Sequence, residues 1–284
     1  MALKATKPKA VDKRLKMFLF GGPGAGKTVA SVSFPNGYII DCERGCDHYK
    51  GIIDKSDGVL LQTNDIDEVI AEVKALSTDK HQHRTLVIDP ITTLESDLVA
   101  KAEAEFGAGD MRIWARRDKM MRRLMNLITS LDMNVILTSH SKIEYGPNMT
   151  KLGTTNDSWK RLPYTFDLVI EIEKRGAKRV AMVRKTRLEG FPDGDSFDFS
   201  YEEIARRYGE QIVTREAVPV SIASPEQADR LQRLIEAVKL EPGTVERWLT
   251  KAGVDAIEDM PAELVEKCIV FVENKINPKE SEKK

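Results

Sequence analysis

One octapeptide constrains this chain more than any other stretch: Gly21, Gly22, Pro23, Gly24, Ala25, Gly26, Lys27, Thr28. It follows a short apolar run from Met17 to Phe20 and precedes a segment able to open as a helix, Thr28 to Ser33. That is the strand, G-x-x-x-x-G-K-S/T, helix order of a phosphate-binding loop. The glycines let backbone N–H groups turn inward and approach a polyphosphate without a clashing Cβ. Lys27 is spaced to reach β- and γ-phosphates, and Thr28 offers a hydroxyl to a magnesium ion. The helix entered through Thr28 and Val29 adds the positive end of its dipole. Residues 21–29 therefore imply a nucleoside-triphosphate site.

Composition limits what surrounds that loop. A chain of 284 residues holds one α/β domain of about 200 residues and a small appendage. Lys+Arg 44 against Asp+Glu 45 leaves a net charge of -1, so any nucleic-acid surface must be local. Three cysteines make no disulfide framework and fit a reducing cytoplasm. Cys42, Cys46 and His48 lack the second ligand pair of a zinc site and read as ordinary thiols and a histidine. Residues 1–15 form a basic arm, and the apolar run after it is too short for a membrane span or signal peptide. No membrane partner is expected.

Taken in order, the apolar runs Tyr38 to Ile40, Val59 to Leu61, Thr85 to Asp89 and Met133 to Thr138 read as strands. Helical spacing marks Ile66 to Leu76, Leu94 to Phe106 and Met111 to Leu131. Strands separated by helices imply a parallel sheet with helices on both faces. Phe166 to Ile172 and Arg179 to Val183 flank a glycine turn and read as a closing antiparallel hairpin. The polar stretch Ser141 to Leu162 shows no periodicity and reads as a long functional loop. Ser224, Pro225 and Gln227 start a helix running to Lys239, followed by helices over 244–251 and 261–275. The expected division is a core over 16–218, a three-helix module over 222–276 with Trp248 as its core anchor, and a disordered tail over 277–284.

Two acids are spaced to complete the site. Asp89 ends a strand downstream of the loop, where a carboxylate holds magnesium through water. Glu43 stands two residues past the strand after the loop helix and is the preferred base for an attacking water. Asp41 competes from the same strand tip. His140 ends the strand after that of Asp89, where it can touch a γ-phosphate and report to the adjoining loop.

In this order the motifs resemble RecA-type ATPases, and most closely the phage group of short, core-only RecA-like single-strand annealing ATPases. The resemblance covers about residues 15–200. It implies an α/β P-loop NTPase using ATP and Mg2+, with Glu43 as catalytic glutamate and Lys27 as catalytic cation. The family sensor is commonly glutamine, where this chain has His140. Two cations on the family's last long strand reach the nucleotide of the next subunit, which makes Lys185 and Arg187, beside Arg184, candidates for catalysis in trans. The family's mobile loop after the sensor lines a DNA channel. In this chain that loop holds Lys142, Tyr145, Lys151, Trp159, Lys160 and Arg161, cations interleaved with aromatics as a single strand requires. Arg112, Arg116, Lys119 and Arg123 also make a basic face on one helix. The expected partners are single-stranded DNA, other copies of this chain as filament or ring, and a single-strand-binding protein. Two rival readings are a helicase- or packaging-type motor and a nucleotide-dependent switch with slow hydrolysis.

Overall fold

The computed structural model describes residues 13–219 and 221–276. The tail read over 277–284 and most of the basic arm lie outside the described residues. Arg14 and Leu15, at the end of the stretch read as an arm, are buried in the core. Arg14 is ion-paired to Asp132 at 3.0 Å and donates to the Ile212 and Arg215 carbonyls.

The strands are β1 (Lys16–Phe20), β2 (Gly37–Asp41), β3 (Val59–Gln62), β4 (Thr85–Asp89), β5 (Asn134–Ser139), β6 (Ser141–Tyr145), β7 (Lys151–Asn156), β8 (Leu168–Arg175), β9 (Lys178–Thr186) and β10 (Ser196–Asp198). Eight of them form one sheet in the order β10-β9-β8-β1-β5-β4-β2-β3, parallel from β8 to β3 and closed by antiparallel β9 and β10. β1, β4 and β5 are buried along their whole length. Covered on both faces, such strands carry continuous apolar runs.

Side-chain alternation divides the core in two. Phe18 and Phe20 of β1, with Leu86 and Ile88 of β4, face α3 (Ile66–Thr78), α4 (Ile91–Phe106) and α5 (Met111–Ser130). Met17, Leu19 and Val87 point the other way, toward α1 (Lys27–Val32), α2 (Lys50–Lys55), α7 (Tyr201–Tyr208) and α8 (Glu210–Val213). This is the period of two expected for a sheet between helical layers. Short α6 (Leu162–Thr165) leads into β8. Among the described residues no helix is long and apolar enough to cross a membrane.

The helices α9 (Pro225–Ala237), α10 (Thr244–Ala252) and α11 (Ala262–Ile276) form the C-terminal module. Ser224 and Gln227 close the capping box at the start of α9. Leu231, Val265, Ile269 and Val272 make a separate small core, against which Trp248 packs edge-on to Phe271.

The sequence reading of 141–162 as a loop requires correction. Ser141 to Asn156 is a β-hairpin, β6 paired antiparallel to β7 around a turn at Pro147–Met149. It stands apart from the main sheet as its own two-stranded unit.

Candidate functional site

The loop between β1 and α1 packs against the end of β8, which is why Gly21 must be glycine. A Cβ there would lie 2.3 Å from the Ile172 carbonyl oxygen. Gly24 and Gly26 hold φ of 69° and 95°, a region L side chains rarely adopt. Lys27 folds back over the loop, donating to the Gly21 and Gly22 carbonyls at 2.9 and 3.1 Å. Partial burial pushes its ammonium below the usual lysine range, while Asp89 and Glu43 pull it back up. Pro23 and Gly24 border the cavity, Gly22, Ala25 and Gly26 carry the turn, and Val29 sits in the first turn of α1.

Asp89 is buried at the tip of β4. Its carboxylate accepts hydrogen bonds from the Thr138 and Thr28 hydroxyls. Burial raises its pKa, and the two hydroxyls and Lys27 oppose the rise. Thr28 and Asp89 are hard oxygen donors in contact beside the loop, a set that suits Mg2+ completed by phosphate oxygens and water. Cys46 places its sulfur 4.0 Å from Asp89, and burial pushes the thiols of Cys42 and Cys46 up.

The two acids at the tip of β2 have separate tasks. Asp41 is 2% exposed and accepts backbone N–H groups from Glu43, Gly45 and Cys46 at 3.2, 3.2 and 2.9 Å. It therefore shapes the turn that presents Glu43. Glu43 is open to solvent, takes a hydrogen bond from Thr93 and lies 3.1 Å from His140 Nε2. Lys27, Thr28, Glu43, Asp89 and His140 line one cavity of about 500 Å³ at the carboxyl edge of the sheet, where ligands gather in open α/β folds.

His140 is held from both sides. Its backbone N–H donates to Thr92 Oγ1 at 3.0 Å, and its carbonyl accepts the Asp157 N–H at 2.8 Å. The β6–β7 hairpin thus starts one residue after His140 and is tied back to it at its far end. Sequence reasoning missed Thr92, Thr93, Thr138 and Asp157, because a lone threonine or aspartate carries no motif.

Lys185 and Arg187 are not brought to this cavity. Lys185 stands opposite Val169 near the start of β8, whereas the other end of that strand touches the phosphate loop. Lys185 donates to the Phe166 carbonyl, and Arg187 pairs with Asp167 at 3.0 Å. Burial and Arg187 lower the Lys185 pKa. From the opposite rim of the sheet they cannot touch a nucleotide on their own chain.

The DNA candidates divide. Lys142, Tyr145, Lys151, Lys160 and Arg161 are exposed, with Lys142 paired to Asp157 at 3.0 Å. Trp159 is a correction: it is 6% exposed, packs in the main core and donates its indole N–H to Asp118 at 3.0 Å. No base can stack on it. The exposed tryptophan nearby is Trp114 on α5, 45% exposed, with the Arg117 guanidinium 4.7 Å over its ring. It borders a cavity of about 750 Å³ at the base of the hairpin, shared with Arg117, Lys142, Lys160 and Arg161. Its signal in the sequence was a tryptophan off the apolar stripe of a basic helix. The basic face of α5 is also largely spent, with Arg112 on Asp110, Arg116 on Glu105 and Arg123 on Asp259.

A phosphate loop on a central strand, a buried aspartate two strands away and polar groups on neighbouring tips define an α/β P-loop NTPase fold. The chain belongs to the AAA_24 family, an AAA domain, which it matches over residues 13–189, more than half its length. No curated protein matches the sequence. Among solved structures, the RadB recombinase is similar with a TM-score of 0.42 and 16% identity, over 66% of this chain and 87% of that one. A likeness at that level bears on neither activity nor partners.

Proposed function

We propose that this chain is a magnesium-dependent, phage-type RecA-like ATPase that binds single-stranded DNA as a homo-oligomer and promotes single-strand annealing or homologous recombination. The observation that carries the reading is His140, which lies 3.1 Å from Glu43 inside the nucleotide cavity, directly precedes the hairpin in the chain and accepts the Asp157 N–H at the hairpin's far end. A group that meets the γ-phosphate and anchors an exposed hairpin couples nucleotide state to that hairpin's order.

In this reading Lys27 moves from the loop carbonyls onto the phosphates, and Thr28 with Asp89 holds the metal. The ion they would hold supplies positive charge that neutralises phosphate oxygens. Glu43, steadied by Thr93, orients the attacking water and accepts its proton. Lys185 and Arg187 reach the nucleotide of a neighbouring copy and stabilise the transferring group, so hydrolysis depends on assembly. Single-stranded DNA runs along the hairpin, its phosphates on Lys142, Lys151, Lys160 and Arg161 and its bases on Tyr145 and Trp114. A single-strand-binding protein would present that strand in the cytoplasm of a bacterial host.

ATP hydrolysis with and without single-stranded DNA tests this, with Lys27→Ala as the blank. A slow rate stimulated several-fold by DNA is expected, and a DNA-independent rate would sink the recombination reading. Glu43→Gln should keep ATP binding and lose turnover by about 10²- to 10⁴-fold. A pure switch protein would show little functional change.

A further inference from the structure

The β8–β9 hairpin brings one cation to the phosphate loop of its own chain. Arg179, near the start of β9, lays its side chain across Gly26. A Cβ on Gly26 would stand 2.0 Å from Arg179 Nε and 2.6 Å from its Cδ. The φ of 95° favours glycine at this position, and the missing Cβ leaves room for the arginine to lie against the loop. Arg179 Nε is buried and has no hydrogen-bond partner among the described residues.

The other arginines of this hairpin are engaged. Arg175 pairs with Glu173 at 3.0 Å, Arg184 with Glu171, and Arg187 with Asp167 at 3.0 Å. Arg179 alone among these four forms no ion pair with any described residue. A buried N–H without an acceptor is costly, and a guanidinium presents a planar fork matched to phosphate oxygens. Lys27 lies over the Gly21 and Gly22 side of the loop, and Arg179 over the Gly26 side. Arg179 is also absent from the cavity where Lys27, Glu43 and His140 gather.

We propose that Arg179 is a nucleotide-contacting residue supplied in cis, donating to phosphate oxygens on the Gly26 side of the loop, which ADP and ATP share. The inference rests on the loop being a nucleotide site. It gives the β8–β9 hairpin two tasks: Arg179 serves its own chain's nucleotide at one rim of the sheet, and Lys185 with Arg187 serve a neighbour's at the other.

The test is nucleotide titration of the full chain by calorimetry, with Mg2+ and either ADP or a non-hydrolysable ATP analogue. Arg179→Ala should weaken both nucleotides by a similar factor, about 10- to 100-fold. Arg179→Lys should recover part of that loss, and Arg175→Ala should bind as the parent does. Thermal melts check the fold. If Arg179→Ala is unstable, Arg179→Gln, which keeps most of the stem on Gly26, is read in its place. Parent-like binding by the Arg179 variants, with binding lost in Lys27→Ala, overturns this inference and leaves the loop reading intact. Loss of the ATP analogue alone overturns the assignment to shared phosphates. Parent-like binding by Lys27→Ala removes the loop reading and this inference together.

Discussion

Asp89 answers two opposed demands. Holding a divalent cation needs an ionised carboxylate, but the side chain is 5% exposed and burial disfavours its charge. Its folded pKa is raised above the unfolded aspartate value of about 3.9. A carboxyl shifted in that direction gives its full stability below the unfolded pKa and loses it as pH rises through the folded one. At neutral pH the ionised group therefore opposes folding. Asp89→Asn keeps the shape and an acceptor for the Thr138 hydroxyl, so it should stabilise the protein by about 1 kcal/mol at neutral pH. Urea melts across the pH range check this. The gain should vanish toward acid, where both side chains are neutral, and grow as pH rises. A constant gain, or a loss at neutral pH, would show that Asp89 is not held against its own ionisation.

At the scale of elements, legibility followed burial. β1, β4 and β5 are covered on both faces, so their apolar runs marked them, and the tips carrying Asp89 and His140 came with them. The hairpin β6–β7 has both faces largely open, so no buried side imposed alternation on its residues. Composition alone left it a loop. Trp159 was misassigned for a related reason: it lies among polar residues in sequence, and only tertiary packing places it beneath α5. Arg179 was invisible because its partner, Gly26, is distant in the chain. The two tryptophans now make a paired test. Trp159→Ala should destabilise the fold by about 3–5 kcal/mol, as a buried aromatic does. Trp114→Ala should leave the melt nearly unchanged and weaken single-stranded DNA binding by about 1–3 kcal/mol. Fluorescence anisotropy with an oligonucleotide, beside urea melts, separates the effects. Equal DNA affinity for Trp114→Ala and the parent would remove Trp114 from the interface.

At the scale of the whole molecule, ion pairs cross the seam between its two parts. The turn before α11 sets Asp259, its side chain 1% exposed, between Arg123 of α5 at 2.7 Å and Lys74 of α3 at 2.6 Å. Asp255 adds a pair to Arg122 at 3.0 Å. The apolar core of the module is separate from the two core layers, so these pairs carry much of the docking. They also take up cations of α5 that would otherwise present a basic face. A buried acceptor serving two cations cannot be neutralised cheaply. Asp259→Asn should cost about 2–3 kcal/mol, less than for a fully buried pair because Arg123 and Lys74 keep some contact with solvent. The module retains its own core, so the loss should appear as release: a separate early transition on urea melting and faster proteolysis between residues 214 and 224. Raised salt should narrow the gap between variant and parent, since it screens what the parent still has. A single transition at the parent's midpoint would show that the seam is held by packing and that the acids only decorate it.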